Sequence, residues 1–212
     1  LQETWLGVTF IDSGRTLAVA AGHSNRVLLF PMRDGRAGSA DTIVVGPRWT
    51  AGGQYPQGKK IDYGPGAIWV TGLDADEPTH RLYVVSYHDS ALNVLDTRAR
   101  KLVKRVPLGA VPYTCLASRD GSLIFVSLWS KAELAVVDAS TYQIVKRVAV
   151  GQHPTDLAES PDGPRVFVAN AKENSGSGVG LAPGKVGGLV RPSRAPAGPA
   201  GRRPDRVGRR RG

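Results

Sequence analysis

The chain alternates short apolar segments with polar turns over most of its length. Residues Tyr113 to Ser118 (YTCLAS) and the following LIFVS are apolar and rich in β-branched and aromatic residues, and RDG joins them. Asp in such a turn bonds its own backbone and Gly supplies a positive φ, which favours a hairpin. In the next segment, ELAVVD, Leu134 and Val136 share one face of a strand, so that face is predicted to pack. No stretch combines helical periodicity with capping residues, and the pattern predicts an all-β structure.

This four-strand unit recurs at a fixed interval. Val126 and Val168 are separated by 42 residues, and Val84 lies 42 residues before Val126. A more distant copy surrounds Val19, 65 residues before Val84, so the first interval holds one period and an insertion of 23 residues. The other pairs that keep the interval of 42 are Pro112 and Pro154, Ser118 and Ser160, Asp120 and Asp162, Gly121 and Gly163, and Asp96 and Asp138. A period near 40 with four short strands is typical of β-propeller blades.

The motifs at the second strand of each unit resemble those of the YVTN-repeat β-propeller family. The segments LYVVS, FVSLW and VFVAN place Tyr83, Phe125 and Phe167 before a valine, as in a Tyr-Val-Thr-Asn motif, and Asn170 keeps the terminal asparagine. SPDG precedes the last of these segments, and VVD follows the second. The resemblance covers roughly residues 5–175 and implies a propeller fold.

The sequence departs from the family's pattern at several positions. The first unit has Ala18 at the aromatic position and Pro31 at the aspartate position, so it is a degenerate copy. Arg100 and Tyr142 stand where family units have glycine in the turn after the aspartate. We expect these two turns to adopt another geometry or to tolerate strain, since glycine takes a positive φ without steric cost.

The interval predicts an all-β, partial β-propeller of four-stranded antiparallel blades, about three and a half in number, within residues 1–175. The blades fall at about 5–50, 66–108 and 109–150, and a two-stranded half blade occupies 151–170. Propellers usually have four to eight blades, and the family's usual number is seven, so we expect the chain to be a fragment of a longer protein. Its open blade edges predict self-association.

A segment of different composition, residues 176–212, follows the repeats. It has ten Gly, five Pro and no aromatic residue. Adding the interval of 42 to Leu134, Val136 and Asp138 predicts apolar residues at 176 and 178 and aspartate at 180, where the sequence has glycine. Such a composition buries too little apolar surface to offset the entropy of ordering, so we expect a disordered tail. A native tail and a shifted reading frame both account for it.

Charge and cysteine content narrow the expected partners. The net charge is +10, and residues 176–212 hold nine Lys and Arg residues against one Asp. These basic residues predict nonspecific, salt-dependent binding to acidic surfaces. No aromatic residue is interleaved for base stacking, so no specific nucleic-acid binding is expected.

The lone Cys115 excludes an internal disulfide. No apolar run is long enough for a membrane span, and the family resemblance implies a periplasmic or secreted location.

The candidate ligand-binding residues lie around two types of loop. One type precedes the first strand of a blade, and the other follows the second strand. In a propeller both types lie at one end of the channel, which is the default place for a binding site. We predict a ligand face there that includes Tyr113, His88, Trp129, Lys131, His153 and Asn170. The alternative interpretation is that Trp129 and Tyr113 pack between neighbouring blades and that His88 is solvated.

No catalytic constellation emerges from the sequence. The four histidines lack metal-ligand spacing, and there is no G-x-S-x-G motif, phosphate loop or dinucleotide fingerprint. We therefore predict no catalytic residue, no metal and no cofactor. Two function classes remain, a noncatalytic propeller that binds an unknown protein or small-molecule ligand, and part of a lactonase-like propeller enzyme. The resemblance extends to propeller portions that precede an alkaline-phosphatase-like phosphoesterase domain, which places that chemistry outside this chain.

Overall fold

Consecutive hairpins, joined in chain order, build the structure. The computed structural model describes residues 7–47, 68–163, 165–173, 175–182 and 185–194, and from residue 182 onward it describes the backbone alone. Every regular element in these ranges is a β-strand, which confirms the all-β prediction. The strands form four antiparallel sheets, one for each sequence repeat. They make up a partial β-propeller that does not close into a ring.

The strands follow one another within each blade. Blade 1 consists of β1 (Val8–Ile11), β2 (Thr16–Ala20), β3 (Arg26–Arg33), the short β4 (Arg36–Ala37) and β5 (Asp41–Val44), which pairs with β3. Blade 2 consists of β6 (Val70–Asp76), β7 (Arg81–Ser86), β8 (Ala91–Asp96) and β9 (Lys101–Pro107). Blade 3 consists of β10 (Cys115–Ala117), β11 (Leu123–Leu128), β12 (Glu133–Asp138) and β13 (Ile144–Ala149). Blade 4 consists of β14 (Pro154–Glu159), β15 (Arg165–Asn170), β16 (Ser175–Ala182) and β17 (Lys185–Arg194).

The middle strands of blades 2 and 3 are buried on both faces. In β11, Ile124 and Val126 pack in the cluster between blades 2 and 3, whereas Phe125 packs in the cluster between blades 3 and 4. Tyr83 occupies the same position in β7 and packs toward blade 3. Because successive side chains of a strand point to opposite faces, one strand contributes to two separate cores. This explains why the apolar runs of the repeats are nearly continuous.

The first strand of each blade contacts the first strand of the next. β1 contacts β6, β6 contacts β10, and β10 contacts β14, so the blades follow one another in sequence order. The approach of β6 to β10 is close, because a Cβ atom at Gly72 would lie 2.3 Å from the hydroxyl oxygen of Thr114. A side chain at position 72 would therefore push the two blades apart.

The turns that lack the family's glycine keep a left-handed backbone. Arg100 has φ 55° and Tyr142 has φ 57°, a conformation that strains non-glycine residues. The carboxylate of Asp138 accepts hydrogen bonds from the backbone N–H groups of Ser140 and Thr141 at 2.9 and 2.8 Å. The hydroxyl of Ser140 and these N–H groups lower the pKa of Asp138 to about 2. The turns therefore tolerate the strain, as one of the two alternatives predicted.

The fourth blade corrects one expectation. It has four strands instead of two, because β16 pairs with β15 and β17 pairs with β16. Residues 176–194 thus belong to a sheet, and the expected boundary at 175–176 falls inside a strand. The glycines of β16 lie on one face, while Ser177 and Val179 on the other face are buried toward blade 3. The described residues leave out 183, 184 and 195–212 of the expected tail and 5, 6 and 48–50 of the expected first blade. They also leave out residues 66 and 67 of the expected second blade and residue 164 of the expected half blade.

A charge placed in the core between blades 2 and 3 tests the strand register. Val126 is 0% exposed, so Val126→Asp buries a carboxylate without a partner. We expect the free energy of unfolding to fall by roughly 3–5 kcal/mol, measured by urea denaturation followed by circular dichroism. The matched control is Val145→Asp, since Val145 is 55% exposed and should tolerate the charge. A Val126→Asp variant as stable as the parent chain would contradict the register.

Candidate functional site

Two kinds of loop meet at one end of the blades, which we call the loop end. The N–H of Tyr87, after the second strand of blade 2, donates to the carbonyl of Trp69, just before the first strand, at 3.0 Å. The same pairing returns in blade 4, where the N–H of Ala171 donates to the carbonyl of His153 at 3.0 Å. The two types of loop that the sequence analysis singled out are therefore neighbours in the structure.

An aromatic cluster bridges blades 1 and 2 at the loop end. The ring of His23, from the loop between β2 and β3, stacks on Trp69 with ring centres 4.7 Å apart and planes 13° apart. The ring centre of Trp69 also lies 5.3 Å from that of His88 and 5.4 Å from that of Tyr87. All four side chains are half-buried. We call His23, Trp69, Tyr87 and His88 the bridging cluster, because it joins loops of two blades.

A buried asparagine fixes the backbone beneath the bridging cluster. Asn25 is fully buried, and its side-chain oxygen accepts a hydrogen bond from the N–H of Trp69 at 2.8 Å. Its amide group donates to the carbonyl of Pro47 at 2.6 Å. Trp69 has φ 48°, which is a strained conformation for a bulky residue. Since the surroundings exclude water, these hydrogen bonds are strong and hold the strained backbone in place.

A second pair of rings bridges blades 3 and 4. The ring centres of Trp129, from the loop between β11 and β12, and His153, just before β14, lie 4.2 Å apart with planes 38° apart. Both side chains are half-buried. The Nδ1 atom of His153 is buried and has no hydrogen-bond partner among the described residues. Trp129 therefore packs between blades, as the alternative interpretation proposed, and His153 shares that contact.

The remaining predicted residues lie in three different settings. Tyr113 is half-buried, and its N–H donates to the carbonyl of Ser127 at 2.9 Å. Lys131 is exposed in the loop between β11 and β12. Asn170 is only 2% exposed, and its side-chain amide donates to the hydroxyl of Ser177 at 2.9 Å. Asn170 is therefore a structural residue beneath the loop end and is not presented to a ligand.

Three residues of the bridging cluster, His23, Trp69 and Tyr87, were absent from the predicted set, although the sequence carries a signal for the first two. His23 lies 65 residues before His88, the interval that also separates Val19 from Val84. Trp69 lies two intervals of 42 before His153. The degenerate first repeat and the insertion after it obscured both equivalences.

Burial dominates the electrostatics of the bridging cluster. It lowers the pKa of His88 below the usual histidine value, the nearby His23 lowers that pKa further, and Asp89 raises it. The carboxylate of Asp89 forms an ion pair with Arg105, whose guanidinium also donates to the carbonyl of Val45 at 2.9 Å. His88 is thus a neutral imidazole at neutral pH, able to donate one hydrogen bond and accept another.

A polar cleft of about 230 Å³ lies at the opposite end, between blades 1 and 2. Its walls include Arg15, Asp76, Glu77, His80 and Arg98, so its charges are mixed in sign. Within the described ranges, no three His, Cys, Asp or Glu side chains are placed so that they could hold a metal ion. The same ranges contain no apolar helix of membrane-spanning length.

The single cysteine does not contribute to either end of the blades. Cys115 is buried in β10, and its thiol donates to the carbonyl of Tyr83 at 3.4 Å. Burial raises the pKa of Cys115 well above its usual value. The thiolate that a nucleophile requires is therefore disfavoured.

Comparison with known proteins supports the fold alone. No protein-family model and no curated protein matches the sequence. Hydrazine synthase of Kuenenia stuttgartiensis superposes with a TM-score of 0.69 and 16% identity over 88% of this chain and 48% of that chain. A candidate 6-phosphogluconolactonase of Bacteroides uniformis superposes with a TM-score of 0.65 and 13% identity over 82% of this chain and 50% of that chain. A protein of unknown function from Desulfotomaculum acetoxidans superposes with a TM-score of 0.69 and 14% identity over 91% of this chain and 56% of that chain. The chain thus spans about half the length of these propeller-like structures.

The titration of His88 tests the electrostatics of the bridging cluster. Because burial and His23 disfavour its charged form, we expect an NMR titration midpoint for His88 below the ordinary value of about 6.5. His23→Asn removes one of these contributions and should raise the midpoint, whereas His80→Asn at the opposite end should leave it unchanged. A midpoint that is the same in all three proteins would contradict the proposed coupling.

The same pKa shift makes stability depend on pH. The folded pKa of His88 is lower than the unfolded one, so the unfolded chain binds more protons at acidic pH. The contribution of His88 is fully present above the unfolded value of about 6.5 and is lost as pH falls through the folded value. We expect the melting temperature to fall on mild acidification, and to fall less in a His88→Gln variant. An equal fall in both proteins would assign the effect to other groups.

Proposed function

We propose that this chain is a noncatalytic β-propeller module that binds a protein or small-molecule ligand at its loop end. The observation that carries the proposal is the bridging cluster, in which His23 and Trp69 stack at 4.7 Å across two blades. Half-buried aromatic rings combine a large apolar face with a polar edge, which is why such rings are enriched at binding surfaces. The blades beneath hold the rings in place, so binding loses little conformational entropy.

The chemistry of the loop end favours a ligand with a planar or ring-shaped group. Trp69 and Trp129 lie at the same end of the module, each in contact with a histidine ring. A ring on the ligand can stack on such a surface, beside the half-buried imidazole of His88. Lys131, two residues after Trp129 in the same loop, adds an exposed positive charge.

The wider context that we propose is a YVTN-repeat protein located outside the cytoplasm. Tyr83, Phe125 and Phe167 before a valine at the second strand of blades 2, 3 and 4 support this family assignment. Some repeat domains with similar motifs precede an alkaline-phosphatase-like phosphoesterase domain. The role of this chain would then be recognition, with the chemistry in another domain.

The alternative is part of a lactonase-like propeller enzyme. Two observations favour it, the structural likeness to the candidate 6-phosphogluconolactonase and the acidic and histidine side chains of the cleft. Within that cleft, however, Glu77 accepts hydrogen bonds from the N–H of Ser13 at 3.2 and 3.3 Å, and Asp76 accepts one from the hydroxyl of Thr79 at 2.5 Å. These carboxylates hold turns in place, so we favour the binding function.

Fragment binding tests the proposed site. We expect small aromatic and saccharide fragments, added to isotope-labelled chain, to shift the backbone NMR signals of His23, Trp69 and His88. Trp69→Ala should weaken binding about tenfold, since an aromatic contact contributes roughly 0.5–1.5 kcal/mol beyond its buried area. His23→Ala, which removes the ring that stacks on Trp69, should also weaken binding. The matched control is His80→Ala at the opposite end, which should leave binding unchanged. Fragments that shift only signals around the cleft would refute the proposal.

Lactone hydrolysis distinguishes the two functions. We expect no hydrolysis of 6-phosphogluconolactone above the uncatalysed rate, followed in a pH-stat with the full chain. Saturable hydrolysis that is lost in a His80→Ala variant would instead support the enzyme alternative.

A further inference from the structure

The two end blades each leave one sheet face without a blade against it in the described chain. We call the face that a blade turns toward the preceding blade its leading face, and the opposite face its trailing face. The leading faces of blades 2, 3 and 4 carry Val84, Val126 and Val168, all of which are buried between blades. The trailing faces of blades 2 and 3 carry Tyr83 and Phe125. Blade 1 retains an open leading face, and blade 4 retains an open trailing face.

The leading face of blade 1 has the organisation of a buried one. Val19 pairs with Leu28, and Leu17 pairs with Phe30, at the positions where the leading face of blade 3 also carries two apolar pairs. Phe10 pairs with Leu17 on the same face and is 55% exposed. This continuous apolar surface therefore suits contact with another sheet better than contact with water.

The trailing face of blade 4 keeps the aromatic residue of a blade interface but little else. Phe167 occupies the position of Tyr83 and Phe125, and it is 49% exposed. Opposite Phe167 lies Gly178, and the preceding pair on this face is Ala169 with Gly176. This face therefore presents one aromatic side chain beside a strip of bare backbone.

The two open faces are complementary in size. The leading face of blade 1 has Leu28 and Phe30 where blade 3 has alanine and valine. The trailing face of blade 4 has Gly176 and Gly178 where blade 3 has leucine and valine. Large side chains on one face thus match missing side chains on the other, which preserves the packed volume of an interface. A face with the usual leucine and valine would overfill the space against Leu28 and Phe30.

We propose that two copies of this chain pack head to tail and close a ring of eight blades. The trailing face of blade 4 in each copy contacts the leading face of blade 1 in the other. A head-to-tail contact that closes forms a symmetric ring, and eight blades is within the usual range for propellers. The proposal goes beyond ligand binding and does not depend on it.

The oligomeric state of the full chain tests the ring. In size-exclusion chromatography with light scattering, at high salt to screen the basic C-terminal residues, we expect twice the chain mass of 22.5 kDa. Phe167→Asp and Leu28→Asp should each give monomers, because they place a charge in the contact. Val145→Asp carries the same change on an exposed valine of β13 and should remain dimeric. A monomeric parent chain, or a polymer whose mass grows with concentration, would overturn the proposal.

Cross-linking tests the orientation of the two copies without a loss of packing. We expect a mixture of Leu28→Cys and Gly178→Cys chains to form an intermolecular disulfide under mild oxidation, whereas neither variant alone should do so. Cross-linking of the Leu28→Cys chain with itself would mean that two leading faces meet, which overturns the head-to-tail arrangement. A dimer that persists while the mixture remains uncross-linked would overturn it as well.

Discussion

Burial of the middle strands on both faces is the constraint on which the rest of the structure depends. Ile124 and Val126 pack toward one neighbouring blade and Phe125 toward the other, so no blade has a core of its own. The apolar surface that stabilises each sheet is removed from water only when the next sheet is in place. The contacts between blades are therefore the cores of the protein. How closely the side chains pack in these contacts determines whether the partial propeller is stable.

The sequence predicted the architecture because the repeat interval fixes strand register. Each blade repeats the same strands and turns, so residues 42 apart take the same position in their strands, and the alternation of side chains then places them on the same face. The fourth blade was missed for a related reason. The three positions tested at 176, 178 and 180 all lie on its trailing face, where glycine stands, whereas Ser177 and Val179 on the leading face retain the pattern. One strand can thus lose its repeat signature on one face and keep its place in the sheet.

The candidate site was only partly accessible from sequence. The loops that hold Tyr113, His88, Trp129 and His153 were placed at one end correctly, because loop position follows from strand order. The ring contacts were not predictable, since they join residues of different blades. Asn170 was misplaced because its motif position says nothing about side-chain direction, and its amide points to Ser177.

A hydrogen bond between blades 1 and 2 connects the loop end to the packing beneath it. The side-chain oxygen of Asn25 in blade 1 accepts from the N–H of Trp69, which lies just before the first strand of blade 2. The spacing of the rings in the bridging cluster is consequently set by the core between blades 1 and 2. A shift of one blade against the other would change that spacing, so the loop surface and the blade interface must be maintained together.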